Sequence, residues 1–175
     1  MSNIIYYVAS SLDGFIACKN DNVSQFIVQG KGVEQYQADL ATYATTLMGR
    51  RTYEIGYQYG LQPGQPAYPH MTHHIFSNTL RFEQAAESVH VEPLSIERVK
   101  EIKAAATTDL YLCGGGTFAG WLLDHGLVDQ LKIKLNPIVL GTGTPLFGAS
   151  QTVVAWKLVE AVPFEDGLQI LTYEK

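Results

Sequence analysis

Three consecutive glycines, Gly114 to Gly116, stand between a short apolar run and a stretch with helical periodicity. The run Leu110 to Cys113 has the length of a buried strand. After the glycines, Phe118, Trp121 and Leu122 recur at the spacing of one helix face. Backbone without side chains can approach a ligand closely, and the N–H groups that open a helix attract anions. The segment therefore predicts a strand, a turn and a helix, with either a phosphate site or a plain tight turn between them.

The bulk composition limits the classes of partner. The chain has 175 residues, of which 46% are hydrophobic and 17% charged, and this predicts a single domain over residues 1–175. The net charge is −5 and the only adjacent basic residues are Arg50 and Arg51, so a small molecule is favoured over nucleic acid or a membrane surface. No basic leader or membrane-length apolar run occurs, which predicts a cytoplasmic protein. Cys18 and Cys113 have no nearby cysteine, so we expect no disulfide.

Alternation of strand-like and helical segments predicts an α/β fold. The strand candidates are Ile4–Ser10, Thr46–Met48, His74–Phe76, Val89–Val91, Leu110–Cys113, Leu131–Val139, Val153–Val162 and Leu168–Tyr173. The helix candidates are Val33–Ala44, Ser95–Ala106, Thr117–His125 and a shorter Thr52–Tyr57, with Thr117 as an N-cap and Gly126 as a C-cap. Asp166-Gly167 between the last two strands is a hairpin signal. We therefore expect a mostly parallel sheet that ends in antiparallel strands.

Arg50 and Arg51 follow the second strand of this pattern and precede a helix start. Open α/β sheets bind ligands at the carboxyl ends of their strands, and the planar guanidinium matches phosphate geometry. A solvated basic pair is the alternative. Taken with the glycine turn, the pair favours separate sites for a pyrophosphate and a phosphate monoester, as in the adenosine half of NADPH.

Several segments together resemble the dihydrofolate reductase superfamily. They are Ser11–Ala17, Met48–Glu54, Cys113–Phe118, Val128–Leu131 and Gly141–Phe147, and they occur in the family order along the whole chain. Within the superfamily they are similar to the reductase domain of the bacterial riboflavin-biosynthesis enzyme and its stand-alone relatives. The resemblance implies a three-layer α/β/α fold, an NADPH cofactor and a homodimer. We expect Leu131 to Val139 and the terminal strands to form the dimer contact; the alternative is that these residues close the core of a monomer.

The resemblance also implies which residues hold NADPH. At the nicotinamide end these are Ala9, Ile16 and Phe26. At the 2′-phosphate end they are Arg50, Arg51 and Thr52, with Ser77 and Asn78 at the adenosine ribose. The residues implied for the pyrophosphate are Gly114, Gly115, Gly116, Thr117 and Phe118.

The substrate half departs from the family pattern. The resemblance places Ser24 and Cys113 toward the substrate, but Cys113 stands where the riboflavin branch carries a glutamate. The arginines that this branch uses for a ribose phosphate have no match, nor does the buried carboxylate of dihydrofolate reductases. Glu34 is the candidate catalytic acid, with a solvated helix glutamate as the alternative, and the Tyr36 hydroxyl or a water molecule could also supply the proton.

These observations predict an NADPH-dependent reductase that transfers hydride to a small heterocyclic, carbonyl or imine substrate. It resembles 5-amino-6-(5-phosphoribosylamino)uracil reductase of riboflavin biosynthesis with altered substrate contacts. The alternative is a non-catalytic NADPH-binding sensor on the same fold. His70, His73 and His74 invite a zinc interpretation, but adjacent strand residues point to opposite faces and no thiolate or carboxylate completes a set nearby, so we expect no metal and an exposed cluster.

Overall fold

The computed structural model describes residues 1–175 and is built on ten strands and four α-helices. The strands are β1 (Ile4–Ser10), β2 (Phe15–Ala17), β3 (Thr45–Gly49), β4 (Thr72–Phe76), β5 (Val89–Glu92), β6 (Leu110–Gly114), β7 (Gln130–Leu135), β8 (Thr144–Pro145), β9 (Lys157–Pro163) and β10 (Gln169–Glu174). The helices are α1 (Lys31–Leu40), α2 (Arg50–Ile55), α3 (Ile96–Ala105) and α4 (Gly116–Asp124), and short 3₁₀ turns cover Lys19–Asp21 and Gly56–Tyr59.

Eight strands form one twisted sheet in the order β5-β4-β3-β6-β1-β7-β10-β9. The strands from β5 to β7 run parallel, whereas β10 is antiparallel to β7 and to β9. The β9–β10 hairpin closes where Gly167 adopts a φ of +86°, in the left-handed region that glycine favours. The predicted mostly parallel sheet with antiparallel terminal strands is confirmed, including the hairpin at Asp166-Gly167.

Helices cover both faces of this sheet. On one face, α3 and α4 pack Val99, Phe118 and Leu122 against sheet residues such as Leu47 and Leu112. Each such side chain contributes about 1.5–3 kcal/mol when it is fully buried. On the other face, α1 covers an aromatic cluster and α2 covers a smaller apolar cluster. The predicted three-layer α/β/α arrangement is confirmed.

Several predicted boundaries are wrong, for local reasons. Helix α1 spans Lys31–Leu40 rather than Val33–Ala44, because the residues that follow Leu40 form a turn before β3. Helix α4 begins at Gly116 with Gly115 in the cap position, so Thr117 lies inside the first turn and is not the N-cap. Strand β7 ends at Leu135, and Val139 lies in the loop beyond it. No helix in the structure combines the length and the apolar character needed to span a bilayer.

His73 is fully buried, contrary to the expected exposure of the histidine cluster. Its Nε2 accepts a hydrogen bond from the Tyr68 N–H, and its Nδ1 bonds the Met71 carbonyl. Burial lowers the pKa of His73 to about 4. The imidazole is therefore a neutral structural element of the core.

Candidate functional site

A cleft lies at the carboxyl ends of β3 and β6, where α2 and α4 begin. Its walls combine the glycine turn, the basic segment and the region of the short strands β2 and β8. The lining residues are Val8, Ile16, Ala17, Asp21, Val23, Gly49, Arg50, Arg51, Thr52, Ile55, Phe76, Leu94, Cys113, Gly115, Gly116, Thr117, Phe118, Trp121 and Thr144. The structure thus brings the two segments that are separated by more than sixty residues of sequence to one place.

The glycine turn forms one wall of the cleft with bare backbone. Gly114 has a φ of +119°, a backbone angle that residues other than glycine rarely adopt. Its peptide bond to Gly115 is cis. A Cβ on Gly115 would lie 2.9 Å from Thr52 Oγ1 on the opposite wall. The first N–H groups of α4 have no acceptor within the helix, and the helix dipole adds positive potential at this end. The turn is therefore a narrow site with free N–H donors, which suits an anion.

The back of the turn is fixed by the segment that contains β8. A Cβ on Gly116 would lie 2.3 Å from the Pro145 carbonyl oxygen, so only glycine permits this contact. The Tyr6 hydroxyl donates to the Leu146 carbonyl at 2.9 Å. The glycine turn is therefore held between the sheet and the β8 segment.

Asp13 ties the loop before β2 to the loop that precedes β8. Its carboxylate accepts the Ser11 hydroxyl at 2.6 Å and the backbone N–H groups of Leu140 and Gly141 at 3.0 and 2.7 Å. The hydrogen bond from Ser11, followed by those from the backbone, lowers the pKa of Asp13 to about 2. The Ser11–Gly14 motif is therefore a structural clamp beside the cleft.

The two arginines reach the cleft from the start of α2 and already contact carboxylates. Arg50 donates from Nε to Glu54 at 2.8 Å and from Nη1 to Thr79 at 2.9 Å. Arg51 donates from Nε to Asp21 at 2.9 Å, and its side chain is 74% exposed. Each guanidinium keeps further N–H donors, and exposed ion pairs of this kind are weak. Both side chains can therefore turn toward an incoming phosphate.

Stacked aromatic rings form the apolar part of the cleft. Phe118 stacks on Phe76 with ring centres 5.0 Å apart and on Trp121 at 5.8 Å. All three residues line the cleft. Such a wall presents a flat apolar surface to a planar ring.

Cys113 connects the cleft with an aromatic cluster under α1. Its Sγ lies 3.6 Å from the Tyr68 hydroxyl, and the Tyr36 and Tyr111 hydroxyls are 2.8 Å apart in the same cluster. Burial raises the pKa of the Cys113 thiol and those of the tyrosines. These groups are therefore neutral hydrogen-bonding side chains at neutral pH, and Cys113 is not poised as a nucleophile.

The structure separates some of the predicted site residues from the cleft lining. Glu34 lies on α1 with its side chain 63% exposed and pairs with Lys31, so it contributes no carboxylate to the cleft. Ser77 accepts N–H groups of Thr79 and Leu80, and the Asn78 side chain accepts the Leu94 N–H, and both residues border a separate neighbouring concavity. The remaining predicted residues that are not part of the lining are Ala9, Ser24, Phe26 and Gly114.

Several lining residues were absent from the sequence-based set. Asp21 occupies a left-handed conformation with a φ of +58°, in a polar loop whose sequence carries no motif. Thr144 reaches the cleft because β8 pairs with β2, and Val8 because β1 lies beside β6. The alternation of β1 could have indicated Val8, but strands of two or three residues leave no periodic signal. The structure also contains no group of three or more His, Cys, Asp or Glu side chains arranged to hold a metal ion.

Comparison with known proteins gives concordant matches. Residues 2–170 match the RibD C-terminal domain family. The uncharacterized protein YyaP of Bacillus subtilis is 28% identical, with 97% of this chain and 93% of that protein covered. A putative riboflavin biosynthesis protein from Shewanella sp. PV-4 superimposes with a TM-score of 0.81 at 25% identity, covering 99% of this chain and 98% of that one. Dihydrofolate reductase from Enterococcus faecalis, complexed with NADP(H), has a TM-score of 0.67 at 19% identity and coverages of 98% and 95%.

Proposed function

The chain belongs to the RibD C-terminal domain family, and from this premise we propose that it is an NADPH-dependent reductase. The observation that carries the proposal is the approach of the glycine turn to the basic segment across one cleft, where Gly115 faces Thr52. One wall suits a pyrophosphate and the other a phosphate monoester. A dinucleotide with an additional phosphate carries both groups.

The residues of the cleft would bind two parts of NADPH, its pyrophosphate and its 2′-phosphate. Gly114 to Phe118 would hold the pyrophosphate through backbone N–H groups at the start of α4. Arg50, Arg51 and Thr52 would hold the 2′-phosphate. To bind it, Arg51 would give up its exposed ion pair with Asp21. We retain Ser77 and Asn78 as candidates for the adenosine ribose, through donors and acceptors that their local hydrogen bonds leave free.

The reacting end would lie at the carboxyl end of β1 beside β2, on the far side of β3 and β6 from Ser77 and Asn78. Ile16 lines the cleft there, and Ala9 and Phe26 are the further candidates for contact with the nicotinamide. When bound, NADPH supplies a hydride to a C=N or C=O bond of a small planar substrate. The protein orients the two rings and excludes water around them.

The proton that completes the reduction is expected to come from water rather than from a protein carboxyl group. Asp21 is the only carboxylate that lines the cleft, and it is ion-paired with Arg51, which is proposed to hold the 2′-phosphate. Glu34 is exposed on α1. A water molecule near the developing charge is sufficient for this type of reduction.

The proposed substrate differs from the phosphoribosyl aminouracil of the riboflavin pathway. Helix α1, which reads KGVEQYQADL, carries no arginine for a ribose phosphate. Cys113 is a neutral thiol in the position that the resemblance assigns to a substrate-binding glutamate. Together with Ser24, it would face a smaller substrate.

Measurement of NADPH oxidation distinguishes an enzyme from a non-catalytic sensor. We would follow the loss of NADPH absorbance with a panel of pteridines, aminouracil ribosides and simple carbonyl compounds, using the Gly115→Ala variant as a control with an obstructed cleft. Oxidation of NADPH that depends on one class of compound and is lost in the variant supports the reductase. Binding of NADPH without oxidation across the panel would instead support the non-catalytic sensor.

We also expect a homodimer, with a narrower contact than the sequence indicated. Strand β7 lies between β1 and β10, so its backbone is already paired on both sides. Strand β9 is an edge strand with Leu158 and Val159 exposed, whereas Val139 is exposed in the loop beyond the carboxyl end of β7. Sedimentation at micromolar concentration would show a dimer that Leu158→Glu dissociates, whereas a wild-type monomer would contradict this expectation.

A further inference from the structure

Lys134 is a buried cation without an anionic partner. It lies on β7 and is 8% exposed. The other half-buried cations of the fold are each paired, as in Lys103–Asp129, Lys132–Asp39 and Arg98–Glu92. No carboxylate lies within salt-bridge distance of Lys134, and its Nζ makes no hydrogen bond in the structure. Burial of the side chain removes part of the hydration of the ammonium and puts no ionic or hydrogen-bonded partner in its place, which is unfavourable, while Nζ itself keeps some contact with solvent.

An aromatic ring contacts this ammonium. Nζ of Lys134 lies 4.4 Å from the centre of the Tyr36 ring on α1. A cation–π contact contributes about 0.5–2 kcal/mol, which is less than the cost of burying a charge. Burial accordingly lowers the pKa of Lys134. The site is electrostatically incomplete, and an anion beside Nζ would complete it.

The position of Lys134 relates it to the reacting end of the cleft. In the sheet it pairs with Ala9 of β1, near the carboxyl edge where the proposed nicotinamide site lies. From Tyr36 a hydrogen bond of 2.8 Å leads to Tyr111, which is two residues before the cleft-lining Cys113. Lys134 therefore belongs to the same sheet face and the same aromatic cluster as Cys113.

The aromatic surroundings favour a flat ligand. The Tyr7 and Tyr36 rings meet edge to face with centres 4.8 Å apart, and the cluster continues through Tyr111. One ammonium balances one negative charge. A doubly charged phosphate would need a second cation, but α1 provides none on its inner side, because Lys31 is exposed and pairs with Glu34. A planar conjugated ring with a single carboxylate meets both conditions.

We propose that Lys134 binds the carboxylate of the substrate, and that the substrate is a small planar monocarboxylic acid. The proposal rests on the proposed reductase function for the neighbouring cleft. Lys134 then acts as a specificity-determining residue, because a neutral ring of the same shape leaves its charge uncompensated. Tyr36 positions the ammonium through its ring face.

Binding of benzoate and of its neutral isostere benzamide tests the proposal. Both would be titrated into the full chain with and without NADPH and followed by calorimetry. We expect benzoate to bind about tenfold more tightly than benzamide, as for a charge-assisted hydrogen bond. Equal affinities, or no binding of benzoate to a chain that binds NADPH, would overturn the proposal. This comparison on the wild-type chain needs no variant.

Variants of the lysine then locate the effect. Lys134→Met keeps the apolar stem, and we expect it to remove the preference for benzoate while NADPH affinity stays unchanged, whereas Lys134→Arg retains the preference. Lys100→Met, at an exposed position of α3, is the matched control and leaves both affinities unchanged. A preference that survives in Lys134→Met would contradict the proposal. Failure of the chain to bind NADPH would count against the reductase function alone, since the benzoate preference is measured separately.

Discussion

Gly115 and Thr52 face each other across the cleft so closely that a Cβ on the glycine would lie 2.9 Å from the threonine hydroxyl oxygen. The two residues belong to the two segments that the sequence singled out for phosphate groups. Their approach makes these segments two walls of one site. The next residue, Gly116, has different surroundings: the Cβ of an alanine there would lie 2.3 Å from the Pro145 backbone carbonyl oxygen.

Substitution of the two glycines is therefore expected to have different effects. Gly115→Ala places a methyl group between the cleft walls and should weaken NADPH binding by about tenfold or more with little change in Tm, since φ at this position is −83° and suits alanine. Gly116→Ala should lower Tm by several degrees, because backbone must move. Calorimetric titration and thermal unfolding of both variants would check this. A Gly115→Ala chain that binds NADPH normally would contradict the assignment of the cleft.

The two tryptophans allow the cleft to be probed by fluorescence. Trp121 lines the cleft and stacks on Phe118, whereas Trp156 packs at the edge of the core beside Lys175. We expect NADPH to quench the emission of the Trp156→Phe variant and to leave that of Trp121→Phe nearly unchanged. Quenching that is confined to the Trp121→Phe variant would show that NADPH binds elsewhere.

The Asp13 clamp predicts a specific acid sensitivity. Its folded-state pKa of about 2 lies below the ordinary value of 3.8, so its contribution to stability is complete above about pH 4 and is lost as the pH falls through 2. Asp13→Asn should lower Tm at neutral pH and reduce the loss of stability between pH 4 and 2. Glu87→Gln, at an exposed position before β5, serves as the control. An unchanged acid unfolding profile in Asp13→Asn would exclude the clamp as a stabilising element.

The sequence predicted the parts of the site that depend on local chemistry. Bare backbone at Gly114 to Gly116 and the guanidinium pair were recognisable because glycine and arginine have properties that few other residues share. The pairing of β2 with β8 was not predictable, since strands this short have no periodicity. The burial of Lys134 was also hidden, because a lysine in an alternating strand ordinarily marks a solvent-exposed face. Tertiary packing against α1 determined its environment.

The buried imidazole of His73 predicts a second pH effect. Because its pKa is lowered to about 4 from 6.5, the unfolded chain takes up a proton that the folded chain does not, and stability falls as the pH drops from about 6.5 to 4. The loss amounts to a few kcal/mol. His73→Gln should flatten this part of the stability profile in urea unfolding, whereas His125→Gln, on the surface, should not. A profile that keeps its slope in His73→Gln would assign the effect to other groups.

Calorimetric titration of the wild-type chain with NADPH and with NADH tests the central claim most directly, because the two differ only in the 2′-phosphate that Arg50, Arg51 and Thr52 are proposed to hold. Loss of a guanidinium–phosphate contact costs about 1.5–3 kcal/mol, or about a tenfold to hundredfold change in Kd. We predict that NADPH binds at one site per chain and more tightly than NADH by that factor, and that Arg51→Gln reduces the difference. Failure of both nucleotides to bind, or equal affinity for the two, would contradict the account.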